Sequence, residues 1–430
     1  MTGYRSNVTR KEQNNAINSN QELTPLESAL PTILDSLHVV PGSDVLPVSS
    51  ALGRVTTKDL LAPISVPPFD NSAMDGYAVC AADLTGSSTL LPVKDRIPAG
   101  EIGQKLSRGE SARIFTGAPM PMGSDAVVMQ ENCEFVKPGE SLIRILQSVK
   151  AGENVRKVGN DICRGSCLFR AGHRIKSTDI GVLASLGIEN IEVKRKLNVS
   201  LLTTGNELQP PGDSLATGKI YDTNMAMLSS MLSELGCSVT AHHAVADTFG
   251  ETLAVFEEAA AESDCVISTG GVSVGEEDHV RDVVNSLGAI DLWKLALKPG
   301  KPFAFGRIGG DDFLPKIFFG LPGNPVSAFV TFGLIVRPSL FVMMGCKPKA
   351  PVSFKVATDF ERIDILGREE YLRARLDSSS EGAIARPLKN QSSGVAVSLS
   401  EADGFIVVPS LTKVNYGDYL SFIPMSEFLY

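Results

Sequence analysis

Between residues 197 and 340 the chain alternates short apolar runs with segments whose apolar residues recur every three to four positions. This alternation constrains the fold more than any other feature. The runs at 197–203, 238–245, 264–268 and 289–297, and those near Phe303 and Ile317, predict strands. The segments 225–235, 250–262, one starting at Glu277, and 326–340 predict helices; Met225, Leu228, Leu232 and Leu235 share one face of the first. Strands alternating with helices imply a doubly wound, mostly parallel sheet. Such sheets bind ligands beyond the carboxyl ends of their strands. The loops 204–224, 247–249 and 268–278 all follow strands, so they are expected to converge there.

The most informative of these loops is Ser268-Thr269-Gly270-Gly271-Val272-Ser273-Val274-Gly275-Glu276-Glu277-Asp278. A glycine-rich turn between a strand and a helix exposes backbone N–H groups to an anion, and Gly270, Gly271 and Gly275 let the backbone come close to it. Asp278 adds a carboxylate beside that cradle. Gly271-Val272-Ser273-Val274-Gly275 also matches the nucleophile elbow of serine hydrolases. That mechanism needs a histidine late in the chain, and the last one, His279, lies six residues after Ser273. The stretch from Gly212 to Gly218-Lys219 falls short of a P-loop: its glycines are one residue too far apart and no Ser or Thr follows the lysine.

Acids cluster on the same loops. Glu207 follows the first strand, Asp222 opens a helix, where capping explains it equally well, and Asp247 follows the second strand. With Asp278 they could hold Mg²⁺, which favours carboxylate oxygens combined with substrate phosphate. A lysine-rich stretch follows, with Lys294, Lys298, Lys301 and Pro302 and no acid, in a chain of net charge -9. It predicts a polyanion site. Gly320-Leu321-Pro322-Gly323-Asn324-Pro325 opens the last long helix with a rigid turn, a second N-terminus able to take an anion.

At 430 residues the chain needs two to four domains. Residues 1–21 are polar and predicted disordered. A helix over 25–37 has Thr24 as its expected cap, and Ser177-Thr178-Asp179 caps a second over 180–186. The predicted division is a discontinuous N-terminal domain (22–66 and 165–196), an inserted β-rich domain (67–164), the α/β domain (197–346) and a C-terminal β domain (347–430). The insertion opens on Phe69-Asp70-Asn71-Ser72-Ala73-Met74-Asp75-Gly76-Tyr77-Ala78, either a capped turn or an ordered loop presenting Ser72 and Asp75. Thr116-Gly117-Ala118-Pro119 is a turn that could offer Thr116. Arg156 to Asp161 reads as a solvated charged loop. The acidic balance argues against general nucleic-acid binding. No run approaches the length of a membrane span, and seven unpatterned cysteines fit a reducing, cytoplasmic setting.

Taken together, the Phe69–Ala78, Thr116–Pro119, Gly270–Gly275, Lys298-Pro299-Gly300-Lys301-Pro302 and Leu321–Pro325 motifs resemble the MoeA family of molybdopterin molybdenumtransferases, over roughly residues 22–430. The E domains of the plant counterpart and of gephyrin are similar. The resemblance implies that adenylylated molybdopterin and molybdate become molybdenum cofactor and AMP, with Mg²⁺. It implies an elongated homodimer of four-domain chains, with an adenylyltransferase-like third domain and a site near the dimer cleft. Asp278 and Glu207 would serve the metal or activate phosphate-bond cleavage. Lys294, Lys298 and Lys301 would hold phosphate or molybdate. Asp75, Thr116 and Asp161 would come from a neighbouring domain, and Arg373 with one of Ser392, Ser393 or Ser398 would line the molybdate site. Asp222, Asp247, Gly270, Gly271, Ser273, Gly275, Pro302, Pro322 and Pro325 are expected at the substrate, with Asp75 and Lys298 sharing the catalytic work. An adenylyltransferase would act upstream, and molybdoenzymes or their chaperones downstream. The chain departs from the family at Asn206 and Asn160, where acids are common, and at His279, where an aromatic often stands. Two rival readings are a molybdopterin adenylyltransferase, whose usual Gly-Gly-Thr-Gly turn is here Gly-Gly-Val-Ser, and a scaffold of the gephyrin type.

Overall fold

The structure, a computed structural model, describes residues 23–86, 88–136, 141–245, 248–272, 279–311, 314–379 and 382–429, with backbone only at 244, 293, 310, 311 and 379. The chain forms two compact units, residues 45–52 with 56–193, and residues 1–44 and 53–55 with 194–430. The expected disorder of 1–21 falls outside the described residues.

In the 45–193 unit, a six-stranded sheet runs in the order Ala126–Met129, Gly76–Val79, Ser111–Ile114, Thr89–Ile97, Leu142–Ile145, Cys133–Phe135. Successive side chains on a strand face opposite ways. Tyr77, Val79 and Val128 therefore enter one apolar cluster, and Ala78 and Val127 enter another with Ala112 and Ile114. A separate small core gathers Val48, Ala51, Ile175, Leu183, Ile191 and Val193 around the helix Ser177–Ser185. That helix begins earlier than the sequence suggests. Lys176 is the capping residue, and the Asp179 carboxylate accepts its N–H at 2.8 Å.

In the other unit the predicted alternation is present. Its strands are β1 (Asn198–Thr204), β2 (Ser238–Val245), β3 (Cys265–Thr269), β4 (Gly288–Trp293), β5 (Ala304–Asp311) and β6 (Leu314–Leu321). Their order is β2-β1-β3-β6-β5-β4. The first four run parallel, while β5 pairs antiparallel with both β6 and β4. The helices are α1 (Thr223–Glu234), α2 (Phe249–Glu262), α3 (Val280–Leu287) and α4 (Pro325–Met343). The two-residue period sorts the sheet's side chains between two cores. Val199, Leu201, Ile267 and Phe319 pack with α1 and α4, and Leu202, Val266 and Phe318 pack with α2 and α3. The chain leaves β1 for β2 on one side and returns to β3 on the other. This reversal opens a crevice at the carboxyl ends of β1 and β3.

Residues 354–424 close into a barrel. Glu369–Ser379 pairs with Gly382–Pro387 on one side and with Gly404–Val408 on the other; Phe354–Thr358 and Tyr419–Pro424 complete the ring. Its core includes Val356, Leu372, Ala385, Ile406 and Phe422.

Three expectations are corrected here. The strand predicted over 289–297 is broken. Lys294 adopts a positive φ of 72°, turning the chain out of the sheet, and Leu297–Lys298 pairs instead with the barrel strand Glu369–Ser379. Thr24 caps nothing: the first helix is Leu26–Asp35, with Pro25 at its cap. One helix, α4, does reach membrane-spanning length and apolarity, with 19 residues and a mean hydropathy of 1.8, but 89% of its most apolar window is buried inside the protein. It is a core helix. A π turn at Phe332–Val336 precedes Arg337-Pro338, where the proline cannot donate to the ladder.

The entry to the β1–β3 pair is fixed by a forked ion pair. The Arg195 guanidinium donates to both oxygens of Asp264, each at 2.7 Å, and Asn198 N–H donates to the same carboxylate at 2.9 Å. Burial alone would raise the Asp264 carboxyl, but these donors overcome it and hold the group below its ordinary value of 3.8. A carboxyl lowered in the fold adds stability above its unfolded value and loses it as pH falls through the folded one. Asp264→Asn is therefore expected to unfold at lower denaturant than the parent near neutral pH. The gap should close as the pH drops from about 4 through the lowered folded value. A gap unchanged in acid would show that charge is not what Asp264 contributes.

Candidate active site

The carboxyl ends of β1, β3 and β6 enclose a cavity of about 730 Å³. Its floor is the turn Thr269-Gly270-Gly271. Gly270 and Gly271 take φ of +86° and +65°, a conformation open to glycine and strained for other residues. A Cβ at Gly270 would stand 2.7 Å from the Thr204 carbonyl oxygen, and one at Gly271 would stand 2.4 Å from the Val280 side chain. The turn is bare because the backbone of β1 and the start of α3 leave no room.

Polar side chains around this turn divide into those that build the site and those left open. Asp222 is 2% exposed; one oxygen accepts Met225 N–H at 3.0 Å and the other accepts the Thr203 hydroxyl at 2.6 Å. It is thus a helix cap, and it also lines the cavity. Asn224 donates to Thr269 Oγ1 at 2.8 Å and to the Gly323 carbonyl at 2.7 Å, and Thr269 donates to the Pro322 carbonyl at 3.0 Å. These bonds lock α1 to the turns after β3 and β6. What remains is unusual. Asn224 Oδ1 and Thr204 Oγ1 are buried on the cavity wall and have no partner. A buried polar atom without a partner is costly, and these two belong to residues that line the cavity. Glu207 is exposed on the same wall.

These donors bear on the Mg²⁺ implied above. Among the described residues there is no group of three or more His, Cys, Asp or Glu side chains arranged to hold a metal. The cavity instead offers the Glu207 carboxylate beside hydroxyl and amide oxygens. Such a set fits Mg²⁺, which keeps waters and takes one or two carboxylates plus substrate phosphate.

The lysine stretch and Arg373 lie outside the cavity lining, although Pro302, Pro322 and Pro325 are part of it. Lys298 pairs with Glu370 at 2.9 Å, and Glu370, 4% exposed, also holds Arg362. Burial, then Arg362 and Arg368 nearby, pull Lys298 below the ordinary lysine value. Lys294 and Lys301 make no ion pair among the described residues. Arg373 and Ser398 do meet, at 2.7 Å. Arg373 is 1% exposed and has no carboxylate partner among the described residues; it donates to the Ser392 carbonyl at 3.0 Å and to Gln391. Burial lowers its basicity. Its bonds hold the segment 391–398, whose Gly394 and Ala396 wall the cavity and whose Ser393 carbonyl accepts Val326 N–H at 3.0 Å.

In the 45–193 unit, Asp75 and Thr116 are brought together from 41 residues apart. One Asp75 oxygen accepts both the Thr116 N–H and its hydroxyl at 2.8 Å, and these bonds hold the carboxyl below its ordinary range. Asp161 is exposed. Asp70, by contrast, is engaged with Lys157 at 2.8 Å. Asp247, Ser273, Gly275 and Asp278 lie outside the described residues. The sequence reading missed Thr204, Asn224, Asn324 and Gly394 as cavity residues. Asn224 and Asn324 stand inside motifs already singled out. Gly394 carried no signal, since it arrives from the barrel.

Known proteins match this arrangement along nearly the whole chain. The profile of the MoeA N-terminal region (domain I and II) matches residues 24–187, that of a probable molybdopterin binding domain residues 200–341, and that of the MoeA C-terminal region (domain IV) residues 359–425. The molybdopterin molybdenumtransferase of Haemophilus influenzae is 34% identical over 407 residues, covering 94% of this chain and 99% of its own. Molybdopterin molybdenumtransferase 2 of Mycobacterium tuberculosis is 34% identical over 352 residues, covering 79% and 85%. Two crystal structures of a molybdopterin biosynthesis moeA protein from Pyrococcus horikoshii superpose with TM-scores of 0.76 and 0.81, at 33% and 27% identity. Both cover 94% of this chain, and 99% and 100% of their own.

Proposed function

The chain belongs to the MoeA family, and on that premise we propose that it is a molybdopterin molybdenumtransferase: it inserts molybdate into adenylylated molybdopterin, cleaving the phosphate anhydride and releasing AMP and molybdenum cofactor. The observation that carries this reading is the bare Gly270-Gly271 turn beneath a cavity with two unpartnered buried acceptors, Thr204 Oγ1 and Asn224 Oδ1. Glycine backbone suits the phosphates, and open acceptors suit the N–H groups of a pterin or purine.

The residues divide the work as follows. Glu207, with Asp278 and Asp247, forms the acidic side, and Asp278 activates cleavage of the anhydride. Glu207 and Asp278 would hold Mg²⁺, which when bound neutralises phosphate charge. Lys294, Lys298 and Lys301 draw in molybdate, while Arg373, bonded to Ser398, holds the 391–398 segment at the molybdate side of the site. Asp222 fixes the start of α1, so that Asn224 meets the substrate in one orientation. Gly275 and Ser273 extend the phosphate cradle, and Pro302, Pro322 and Pro325 give it rigid walls. Asp75, Thr116 and Asp161 contribute to substrate handling, and the chain acts as a cytoplasmic homodimer. An adenylyltransferase supplies the substrate, and molybdoenzymes or their chaperones take the product.

The test is an AMP-release assay with purified protein, adenylylated molybdopterin and Mg²⁺. AMP release is expected to rise with molybdate and saturate. The absence of any molybdate-dependent release would overturn the assignment and favour a scaffold. Adenylylation of free molybdopterin from ATP would favour the adenylyltransferase.

A further inference from the structure

The 45–193 unit carries a second cavity, of about 520 Å³, that the reaction above does not use. It opens on one row of the six-stranded sheet. Arg113 is directly opposite Tyr77 on one neighbouring strand and opposite Arg96 on the other. Directly opposed residues share a face, so all three side chains emerge together. Phe115, two residues beyond Arg113, lies among them. The Arg96 guanidinium is 4.6 Å from the centre of the Phe115 ring, and Arg113 is 4.8 Å from Phe115 and 5.1 Å from Tyr77.

Like charges placed directly opposite on paired strands destabilise a sheet. Stacking on Phe115 and Tyr77 offsets some of that cost. Among the described residues neither guanidinium pairs with a carboxylate, and the acid whose charge Arg113 feels, Asp75, is bonded to Thr116 instead. Asp95, also in the cavity lining, is already committed: its two oxygens accept Arg96 N–H and Gln104 N–H, each at 2.8 Å. Arg113 donates to the Gly76 carbonyl at 3.2 Å and to Gln130. Among the described residues, Arg96 uses none of its guanidinium donors in a hydrogen bond. Burial pushes the Cys133 thiol of the same cavity up to about 11, so it brings no negative charge. Phe135 lines the cavity too, and it is 61% exposed.

We propose that the Arg96–Arg113 pair and Phe135 form a binding site for a phosphorylated planar heterocycle. The two guanidinium forks take the phosphate, and the open face of Phe135 stacks the ring. A guanidinium fork matches phosphate geometry, and planar bases stack on aromatic rings without regard to their edges. This site does not rest on the assigned reaction, although Arg113 neighbours Asp75. A chain that binds a nucleotide here but releases no AMP from adenylylated molybdopterin would overturn that assignment and leave this one standing.

The test uses the full-length chain with AMP and inorganic pyrophosphate as probes, read by calorimetric titration and thermal melting. The double variant R96Q/R113Q is expected to weaken one class of AMP and pyrophosphate sites by about tenfold or more, the loss of charge-assisted hydrogen bonds. R96K keeps the charge but loses the fork, and is expected to fall between parent and double variant. Phe135→Ala should weaken AMP and leave pyrophosphate unchanged. Because R96Q relieves a like-charge opposition, it should melt no lower than the parent. AMP isotherms that are identical in the parent and the double variant would overturn the proposal. An R96Q variant that melts lower while binding AMP normally would also overturn it, leaving the row as a structural stack.

Discussion

Asp278→Asn is expected to leave the chain folded and to lower molybdate-dependent AMP release by about 10²–10⁴-fold, the usual contribution of a positioned acid or base. Asparagine has nearly the same shape and keeps one acceptor oxygen. It cannot take a proton or neutralise a cation. The argument rests on position and on elimination. Asp278 closes the strand–turn–helix stretch whose glycines floor the cavity, and Ser273 has no later histidine beyond His279 to activate it. The measurement is the AMP-release assay, with a melting curve to establish that the variant is folded. Combining the substitution with Glu207→Gln gives a second check. If both carboxylates serve one step, the double variant should lose little more than the worse single variant, because groups acting as a unit are not additive. Full turnover by folded Asp278→Asn would remove this residue from the reaction.

Gly270→Val is expected to lower stability by about 2–5 kcal/mol, summing a left-handed conformation for a side-chain residue with an overpacked contact. The backbone cannot yield here. Gly270 follows Thr269, which is paired with Thr203 in the sheet, and its own N–H donates to the Leu321 carbonyl at 3.2 Å. The atom a new Cβ would strike, Thr204 O, is also backbone. Gly323 is the control. It lies on the same cavity, and a Cβ there would meet nothing nearer than 3.7 Å, so Gly323→Ala should keep nearly parental stability. Denaturant unfolding monitored by far-ultraviolet circular dichroism reads the loss of the fold. A parental midpoint for Gly270→Val would show that the turn tolerates a side chain.

Elements set by local periodicity are legible from residue spacing alone. The strands β1, β2, β3 and the helices α1 and α2 stand within two residues of where apolar spacing puts them. The segment 289–297 is not legible in this way, because its apolar residues continue past the point where Lys294 turns the backbone. Leu295 and Leu297 are buried as expected of a strand, but Leu297 pairs with the barrel strand and not with the sheet. Spacing carries α4 over 326–340, past Arg337 and Pro338, and falls three residues short of its end at Met343. What spacing does not show is the π turn at Phe332–Val336 that precedes the proline.

Residue type at a fixed spacing along the chain is enough to specify the α/β core, the glycine turn and the family. Which polar groups are spent and which stay open depends on the folded chain as a whole. Asp222 has both oxygens occupied, Lys298 is tied to Glu370, and Arg373 is sealed behind the 391–398 segment, whereas Asn224 Oδ1 and Thr204 Oγ1, on residues that line the cavity, are unpartnered. The Arg113–Arg96 row likewise exists only because sheet register sets two strands side by side. Hydrogen bonds and charge pairs form between residues distant in sequence, and no local spacing encodes them.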